Sequence, residues 1–189
     1  MIDLFQVANQ LQDFLWQQRW NFCYIGGIAL QRWGEPRLTQ DIDLTLLTGF
    51  GNEKIFIDKL LYQYQPRIDK AEEFALKNRV LLLQSESGIG IDIALGGLDF
   101  EALVIQRASD FKFLPEIRLH TCSAEDLIVM KTFADRNRDW LDVEGIIIRQ
   151  GEIIDWAYVF KQLSPLCELK ESPHIIERLK KLQADLQQH

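Results

Sequence analysis

Two aspartates separated by one apolar residue, Asp41 and Asp43, constrain the fold of this chain more than any other feature. They open a strand-like stretch whose apolar part runs from Ile42 to Leu47. Because side chains alternate between the faces of a strand, the two carboxylates point to one side and Ile42 and Leu44 to the other. Carboxylates on one face repel each other, and burying them without a partner is costly. The pattern therefore predicts a strand that packs one face in a core and holds a divalent cation on the other.

A third aspartate, Asp92, is flanked by two isoleucines in a second strand-like region. Residues 79–84 and 89–95 have strand patterns separated by a turn at 85–88, which predicts a β-hairpin beside the first strand. One aspartate among apolar residues is more often a strand edge or a turn, and only the combination favours a functional site. Carboxylates on adjacent strands can hold two metal ions, one on a triphosphate and one at an attacking hydroxyl.

The predicted catalytic residues and ligands of Mg²⁺ or Mn²⁺ are therefore Asp41, Asp43 and Asp92. Mutual repulsion among them is expected to raise the pKa of at least one carboxyl group.

A double glycine, Gly26-Gly27, follows a short apolar run and precedes a predicted helix. Such a turn lets backbone N–H groups approach a phosphate near a helix N-terminus, although most Gly-Gly pairs are only turns. Arg37 and Thr39, just before the carboxylates, have two equal interpretations. They contact phosphate or base, or they form a loop that leads into the strand.

A second charged group comprises Lys131, Arg138 and Asp139. Lys131 and Arg138 are seven residues apart, about two turns, so they share a face if one helix continues through both. A lysine and an arginine on one face could bind triphosphate oxygens, and Asp139 could orient one of them or accept a proton. The alternative is a charged helix exposed to solvent.

The hydrophobic pattern predicts a mixed α/β chain up to residue 121 and helices after it. Two predicted domains follow, a core at 1–121 and a helical region at 122–189 that packs on it. Helices are expected at 2–19, 28–33 and 52–62, with short strands and loops at 101–120. Ser123 and Asp126 resemble a capping box that opens a helix at 124. The helical pattern is broken near Gly151 and Pro165, and it starts again at Ser172-Pro173, with the serine as N-cap.

The composition narrows the classes of function. The net charge of -7 argues against a broad basic surface for duplex nucleic acid, but it leaves room for a local phosphate pocket. The 3 cysteines are dispersed, which favours a reduced, cytoplasmic protein over a disulfide framework. We find neither an apolar run long enough for a membrane span nor the pattern of a signal peptide.

The same residues carry a family resemblance. Gly26-Gly27, Ala29 and the stretch from Arg37 to Leu44 resemble the AbiEii-like nucleotidyltransferases of the DNA polymerase beta superfamily. The resemblance extends over about residues 20–150, and its second part is carried by Ser123, Ala124, Glu125, Asp126, Leu127, Lys131, Ala134, Arg136, Arg138, Asp139 and Asp142. It implies a small mixed sheet flanked by helices, with a helical C-terminal part that closes a nucleotide cleft. Many superfamily members have Gly-Ser where this chain has Gly-Gly, so one hydroxyl contact to phosphate is absent.

The resemblance implies metal-dependent nucleotidyl transfer from a nucleoside triphosphate to an acceptor hydroxyl, on an RNA end or a protein. The acidic composition favours a protein or a small molecule, such as an antibiotic, over a long nucleic acid as the acceptor. Some members are toxins of type IV toxin–antitoxin pairs, so an antitoxin protein is an implied partner. The alternative is a non-catalytic protein that keeps the fold as a binding or regulatory partner. Such a protein would be expected to lose a carboxylate, and this chain retains all three.

Overall fold

The computed structural model describes residues 2–187, with side chains for 3–186. Over this range the chain forms α-helices at α1 (Ile2–Gln17), α2 (Gly26–Trp33), α3 (Glu53–Gln63), α4 (Ala71–Asn78), α5 (Asp99–Gln106), α6 (Ala124–Ala134), α7 (Asn137–Gln150), α8 (Trp156–Leu169) and α9 (His174–Gln187). Its strands are β1 (Phe22–Tyr24), β2 (Asp41–Leu47), β3 (Gln65–Pro66), β4 (Val80–Gln84), β5 (Gly90–Gly96), β6 (Ser109–Leu114) and β7 (Ile117–Thr121). The class is mixed α/β, as predicted.

The chain divides into two compact units. The first, here called the sheet unit, consists of two chain segments: the N-terminal segment up to Ile28 and the segment Leu38–Cys122. The second, the helical unit, contains Ala29–Arg37 and the chain that follows Cys122.

One mixed sheet organises the sheet unit, with the strand order β3-β4-β5-β2-β1-β7-β6 among the described residues. Strands β2 and β5 are parallel neighbours, and β4 and β5 form the predicted antiparallel hairpin. The predicted strand at Ile42–Leu47 is confirmed and begins one residue earlier, at Asp41. The site predicted from the sequence therefore lies in the middle of the sheet, where neighbouring strands fix the positions of its side chains.

The apolar face of β2 lies in the core of the sheet unit. Ile42, Leu44 and Leu46 are fully buried, as the alternation in the sequence predicts. Helix α1 covers this core and is tied to the sheet by polar contacts. The Tyr24 hydroxyl donates to the carbonyl of Ala8 at 2.5 Å.

The helical unit buries the apolar faces of α6, α7, α8 and α9. Ser123 caps α6 as predicted, because its hydroxyl accepts a hydrogen bond from the backbone N–H of Asp126 at 3.1 Å. The predicted break at Pro165 is wrong, since α8 continues through this residue. A proline removes one backbone hydrogen bond, but the buried residues Leu163 and Cys167 on either side hold the helix in place.

Two further local predictions need correction. Residues 101–120 were expected to contain only strands and loops, but α5 occupies the first part before the β6–β7 hairpin. The Glu101 side chain accepts hydrogen bonds from the backbone N–H groups of Gly97 and Leu98, which stabilises the start of α5. At the start of α9, the Ser172 hydroxyl donates to the carbonyl of Lys170 instead of capping the helix.

None of the helices in the described part of the chain is both long and apolar enough to cross a membrane.

Candidate active site

The three aspartates lie on one face of two adjacent parallel strands. In the register of β2 and β5, Asp43 is paired with Asp92 and Asp41 is paired with Gly90. Paired residues on neighbouring strands point to the same face, and so do residues two apart on one strand. The side chain of Asp41 is 54% exposed and that of Asp92 is 32% exposed, so solvent reaches the group. The structure thus brings Asp41, Asp43 and Asp92 together on one accessible face.

The Gly26-Gly27 turn holds Asp43 in place. Gly26 begins α2 with a φ of +53°, a conformation that L side chains rarely adopt, and a Cβ at this position would collide with the Asp43 carboxylate. The backbone N–H of Gly27 donates to Oδ2 of Asp43 at 3.4 Å. A Cβ at Gly27 would collide with Thr39. In this structure, both glycines therefore make room for residues of the β2 segment.

Replacing Gly26 with alanine should lower the free energy of unfolding by more than the same change at Gly88. Both glycines have positive φ, for which alanine costs about 1–2 kcal/mol. Gly88, with φ +80°, has open space around the added Cβ, whereas Gly26 has the Asp43 carboxylate against it. Urea unfolding of both variants measures the difference. Equal losses of stability would show that Gly26 does not support Asp43.

Arg67, which no sequence pattern predicts as part of the site, lies among the carboxylates. Its Nη2 donates to Oδ1 of Asp92, and its Nη1 is 3.6 Å from Oδ1 of Asp41. A Cβ at Gly90 would collide with both the Asp41 carboxylate and the Arg67 guanidinium. Arg67 is 25 residues from Asp92 in the chain, so no local pattern links the two. The sequence indicates only that clustered carboxylates need a nearby cation, and it does not indicate which residue supplies that cation.

The pKa of Asp92 is raised above its usual value. Burial is the largest cause, and the charges of Asp43 and Asp41 add to it, while Arg67 acts in the opposite direction. The predicted raised pKa is thus found, but the proposed cause needs correction. Desolvation contributes more than repulsion between the carboxylates.

The potential ligands on this face are carboxylate oxygens that solvent can reach, and oxygen ligands are those that hard divalent cations such as Mg²⁺ prefer. Within residues 3–186, however, no group of three His, Cys, Asp or Glu side chains is arranged to hold a metal ion. The Arg67 guanidinium contacts two of the three carboxylates instead.

A buried ionic cluster lies in the helical unit. Lys131 Nζ donates to Oδ2 of Asp142 at 2.6 Å and to Oδ1 of Asp139 at 3.3 Å. Arg37 binds both oxygens of Asp142, at 2.9 and 3.0 Å, and Arg136 Nε lies 2.5 Å from Oδ2 of Asp139. Lys131, Asp139 and Asp142 are only 7%, 3% and 5% exposed. Burial would raise the pKa of Asp142, but the hydrogen bonds from Arg37 and Lys131 outweigh it and lower the pKa.

A shared face of Lys131 and Arg138 would require one continuous helix, and the structure has two helices there. Helix α6 ends at Ala134, Asp135 adopts a left-handed conformation with φ +57°, and α7 begins only at Asn137. Lys131 and Arg138 therefore belong to different helices. Lys131 is buried between carboxylates, whereas Arg138 is exposed on α7.

Comparison with known proteins gives the family. A family model described as "Nucleotidyl transferase AbiEii toxin, Type IV TA system" matches residues 9–163. The solution structure of the antibiotic-resistance factor ANT(2'')-Ia has a similar fold, with a TM-score of 0.50 and 14% identity over 100% of this chain and 96% of that chain.

Two other solved structures were compared. An antigenic nucleotidyltransferase-like protein from Paracoccidioides brasiliensis has 16% identity over 94% of this chain and 92% of that chain, with a TM-score of 0.49. The lincosamide antibiotic adenylyltransferase LnuA has 14% identity over 72% of this chain and 92% of that chain, also with a TM-score of 0.49. A comparison with curated proteins gave no match. The family model alone spans more than half of the sequence, and the chain therefore belongs to the AbiEii family of nucleotidyltransferase enzymes, described as toxins of type IV toxin–antitoxin systems.

Proposed function

We propose that this enzyme transfers a nucleotidyl group from a nucleoside triphosphate to an acceptor hydroxyl, with Mg²⁺ or Mn²⁺ held by Asp41, Asp43 and Asp92. The observation that carries this proposal is the register of β2 and β5, which pairs Asp43 with Asp92 and puts Asp41 on the same face. The acceptor oxygen forms a bond to the α-phosphorus, the bond between the α- and β-phosphates breaks, and pyrophosphate leaves. A bound divalent cation would neutralise charge on the triphosphate and so favour this attack.

The residues of the sheet unit have separate roles in this proposal. The Gly27 N–H donates a hydrogen bond to Asp43 and so fixes the orientation of this carboxylate before any ligand binds. Asp92 is only partly exposed and paired in register with Asp43, and its carboxylate would accept the proton of the acceptor hydroxyl. Asp41, the most exposed, is accessible to an incoming metal–triphosphate complex.

For nucleotide binding, the proposed residues are Gly26, Gly27, Arg37, Thr39, Lys131, Arg138 and Asp139. The contacts divide them into two groups. Lys131, Asp139 and Arg37 already make ion pairs within the helical unit, so they would have to exchange a partner to bind a phosphate. Arg138 is exposed and is the member of the charged group that can bind a phosphate without breaking a buried ion pair.

The acceptor that we propose is an RNA end or a protein hydroxyl. The family description supports a toxin-type enzyme, and with it an antitoxin protein as partner. The net charge of -7 disfavours extended contacts along a nucleic acid, because phosphate affinity comes mainly from basic side chains. Recognition of a short RNA end or of a protein fits this charge better than recognition of a long duplex.

The proposal is tested by transfer of label. The protein is incubated with each α-labelled triphosphate, Mg²⁺, and either total cell RNA or total cell protein. We expect label in one acceptor fraction and its loss when a chelator removes the metal. Equal labelling with and without chelator would contradict the metal requirement. Label in both fractions from a heat-inactivated sample would show that the signal does not come from this enzyme.

A further inference from the structure

Arg67 is positioned by the sheet itself. Strand β3 ends at Pro66, and the backbone N–H of Arg67 donates to the carbonyl of Leu82 on β4 at 3.0 Å. Leu82 is paired with Asp92 on β5, and Asp92 with Asp43 on β2. Arg67 therefore continues a row of residues that runs across the sheet through the carboxylates.

The length of the side chain matches this placement. Neighbouring strands are about 4.8 Å apart, so the backbone of Arg67 lies about 10 Å from that of Asp92. An extended arginine spans most of that distance, and its guanidinium reaches Oδ1 of Asp92 across Leu82. With 27% of its surface exposed, the side chain is mostly enclosed by the sheet face.

Gly90 provides a second, independent observation. It is the residue paired with Asp41, and a Cβ there would collide with the Asp41 carboxylate and with Nη1 of Arg67. Gly90 does not have a positive φ, so its backbone conformation does not require glycine. The feature that matters at this position is the absence of a side chain. This space is where the guanidinium and the Asp41 carboxylate meet.

We propose that Arg67 is a resident counter-cation of the carboxylate site, which bridges Asp41 and Asp92 until a divalent metal takes the same oxygens. The inference rests on the proposed function, because it assumes that these carboxylates are metal ligands. The guanidinium is always charged and presents its N–H donors in a rigid fork, so it neutralises two carboxylates that would otherwise repel each other. Arg67 is thus a positioning residue that competes with the metal.

This role predicts opposite effects on stability and on metal affinity. After chelator treatment, Arg67→Gln should have a lower thermal midpoint than the parent, since the carboxylates lose their cation. Mn²⁺ should then raise the midpoint of Arg67→Gln more than that of the parent. Its Mn²⁺ affinity, measured by titration with electron paramagnetic resonance, should increase at least about tenfold, because a competing charge next to the ligands is gone.

Arg79→Gln is the matched control. Arg79 is in the same unit with a similar exposure of 31%, and it pairs with Glu53 and the backbone carbonyls of Gly49 and Leu95. Its loss should also lower the thermal midpoint, but Mn²⁺ should neither restore the midpoint nor bind more tightly than to the parent. Metal rescue that is confined to Arg67→Gln separates a counter-cation from an ordinary structural arginine.

The outcomes distinguish this inference from the proposed function. If the parent binds Mn²⁺ and Arg67→Gln binds it equally or more weakly, Arg67 is no competitor, and the proposed metal site stands. If neither binds Mn²⁺, with or without triphosphate, the metal site and this inference both fail. Should Arg67→Gln not fold, Arg67→Met also removes the charge and keeps a long side chain in the same place. Its affinity for Mn²⁺ should then exceed that of the parent, and an equal or lower affinity would overturn the proposal.

Discussion

Replacing Asp43 with asparagine should reduce label transfer by at least about a hundredfold, the order of magnitude that loss of one electrostatic contact at a reacting centre can reach. Asparagine keeps the shape and one side-chain oxygen, which can still accept the hydrogen bond from the Gly27 N–H. The thermal midpoint should therefore stay nearly unchanged or rise slightly, because repulsion with Asp41 and Asp92 is relieved. This variant should therefore lose label transfer and keep its thermal stability.

Asp58→Asn is the control for this experiment. Asp58 is 54% exposed, like Asp41, and it pairs with Lys54 on α3, so the substitution removes one exposed charge from the same unit. It should transfer label like the parent. If Asp43→Asn also labels the acceptor as the parent does, Asp43 has no part in the chemistry. If the parent itself labels neither fraction, binding of triphosphate and Mn²⁺ to the two variants provides the comparison.

Replacing Lys131 with methionine should give the largest loss of stability. The change leaves the buried carboxylates of Asp142 and Asp139 with one cation fewer, and breaking a buried ion pair typically costs about 3–5 kcal/mol. Arg37 and Arg136 still contact these carboxylates, so the loss should be near the lower end, about 3 kcal/mol. Urea unfolding measures it.

Arg138→Met is the matched control, because it removes a cation from an exposed position on α7. It should change the free energy of unfolding by less than about 0.5 kcal/mol. Similar effects of the two substitutions would contradict the buried cluster. Nucleotide binding by Lys131→Met has to be measured at a temperature where the variant is still folded, or a loss of fold would be mistaken for a lost phosphate contact.

Local patterns predicted the elements that carry the site. The alternation of polar and apolar residues from Asp41 to Leu47 can be seen within one short segment. The hairpin around residues 85–88 is also local, because a single turn joins its two strands. The Ser123 cap is equally local. The family resemblance, stated from the same motifs, is confirmed by the match over residues 9–163.

Contacts between distant parts of the chain were not predictable in this way. Arg37 and Asp142 are 105 residues apart, and only the fold brings them together. The same is true of Arg67, whose approach to Asp92 depends on how β3 pairs with β4. The interruption of the helix between Lys131 and Arg138 was difficult to predict for a different reason. A single residue in the left-handed conformation, Asp135, ends α6, and aspartate gives only a weak signal for that conformation.

Anomalous scattering from crystals grown with Mn²⁺ and a non-hydrolysable triphosphate would locate the metal, whatever the identity of the acceptor. We expect a manganese peak about 2.0–2.2 Å from carboxylate oxygens of Asp43 and of at least one of Asp41 and Asp92. The Arg67 guanidinium should then have left the oxygens that the metal binds. A peak ligated by other side chains, or triphosphate bound with no metal at these aspartates, would show that the proposed metal site is wrong.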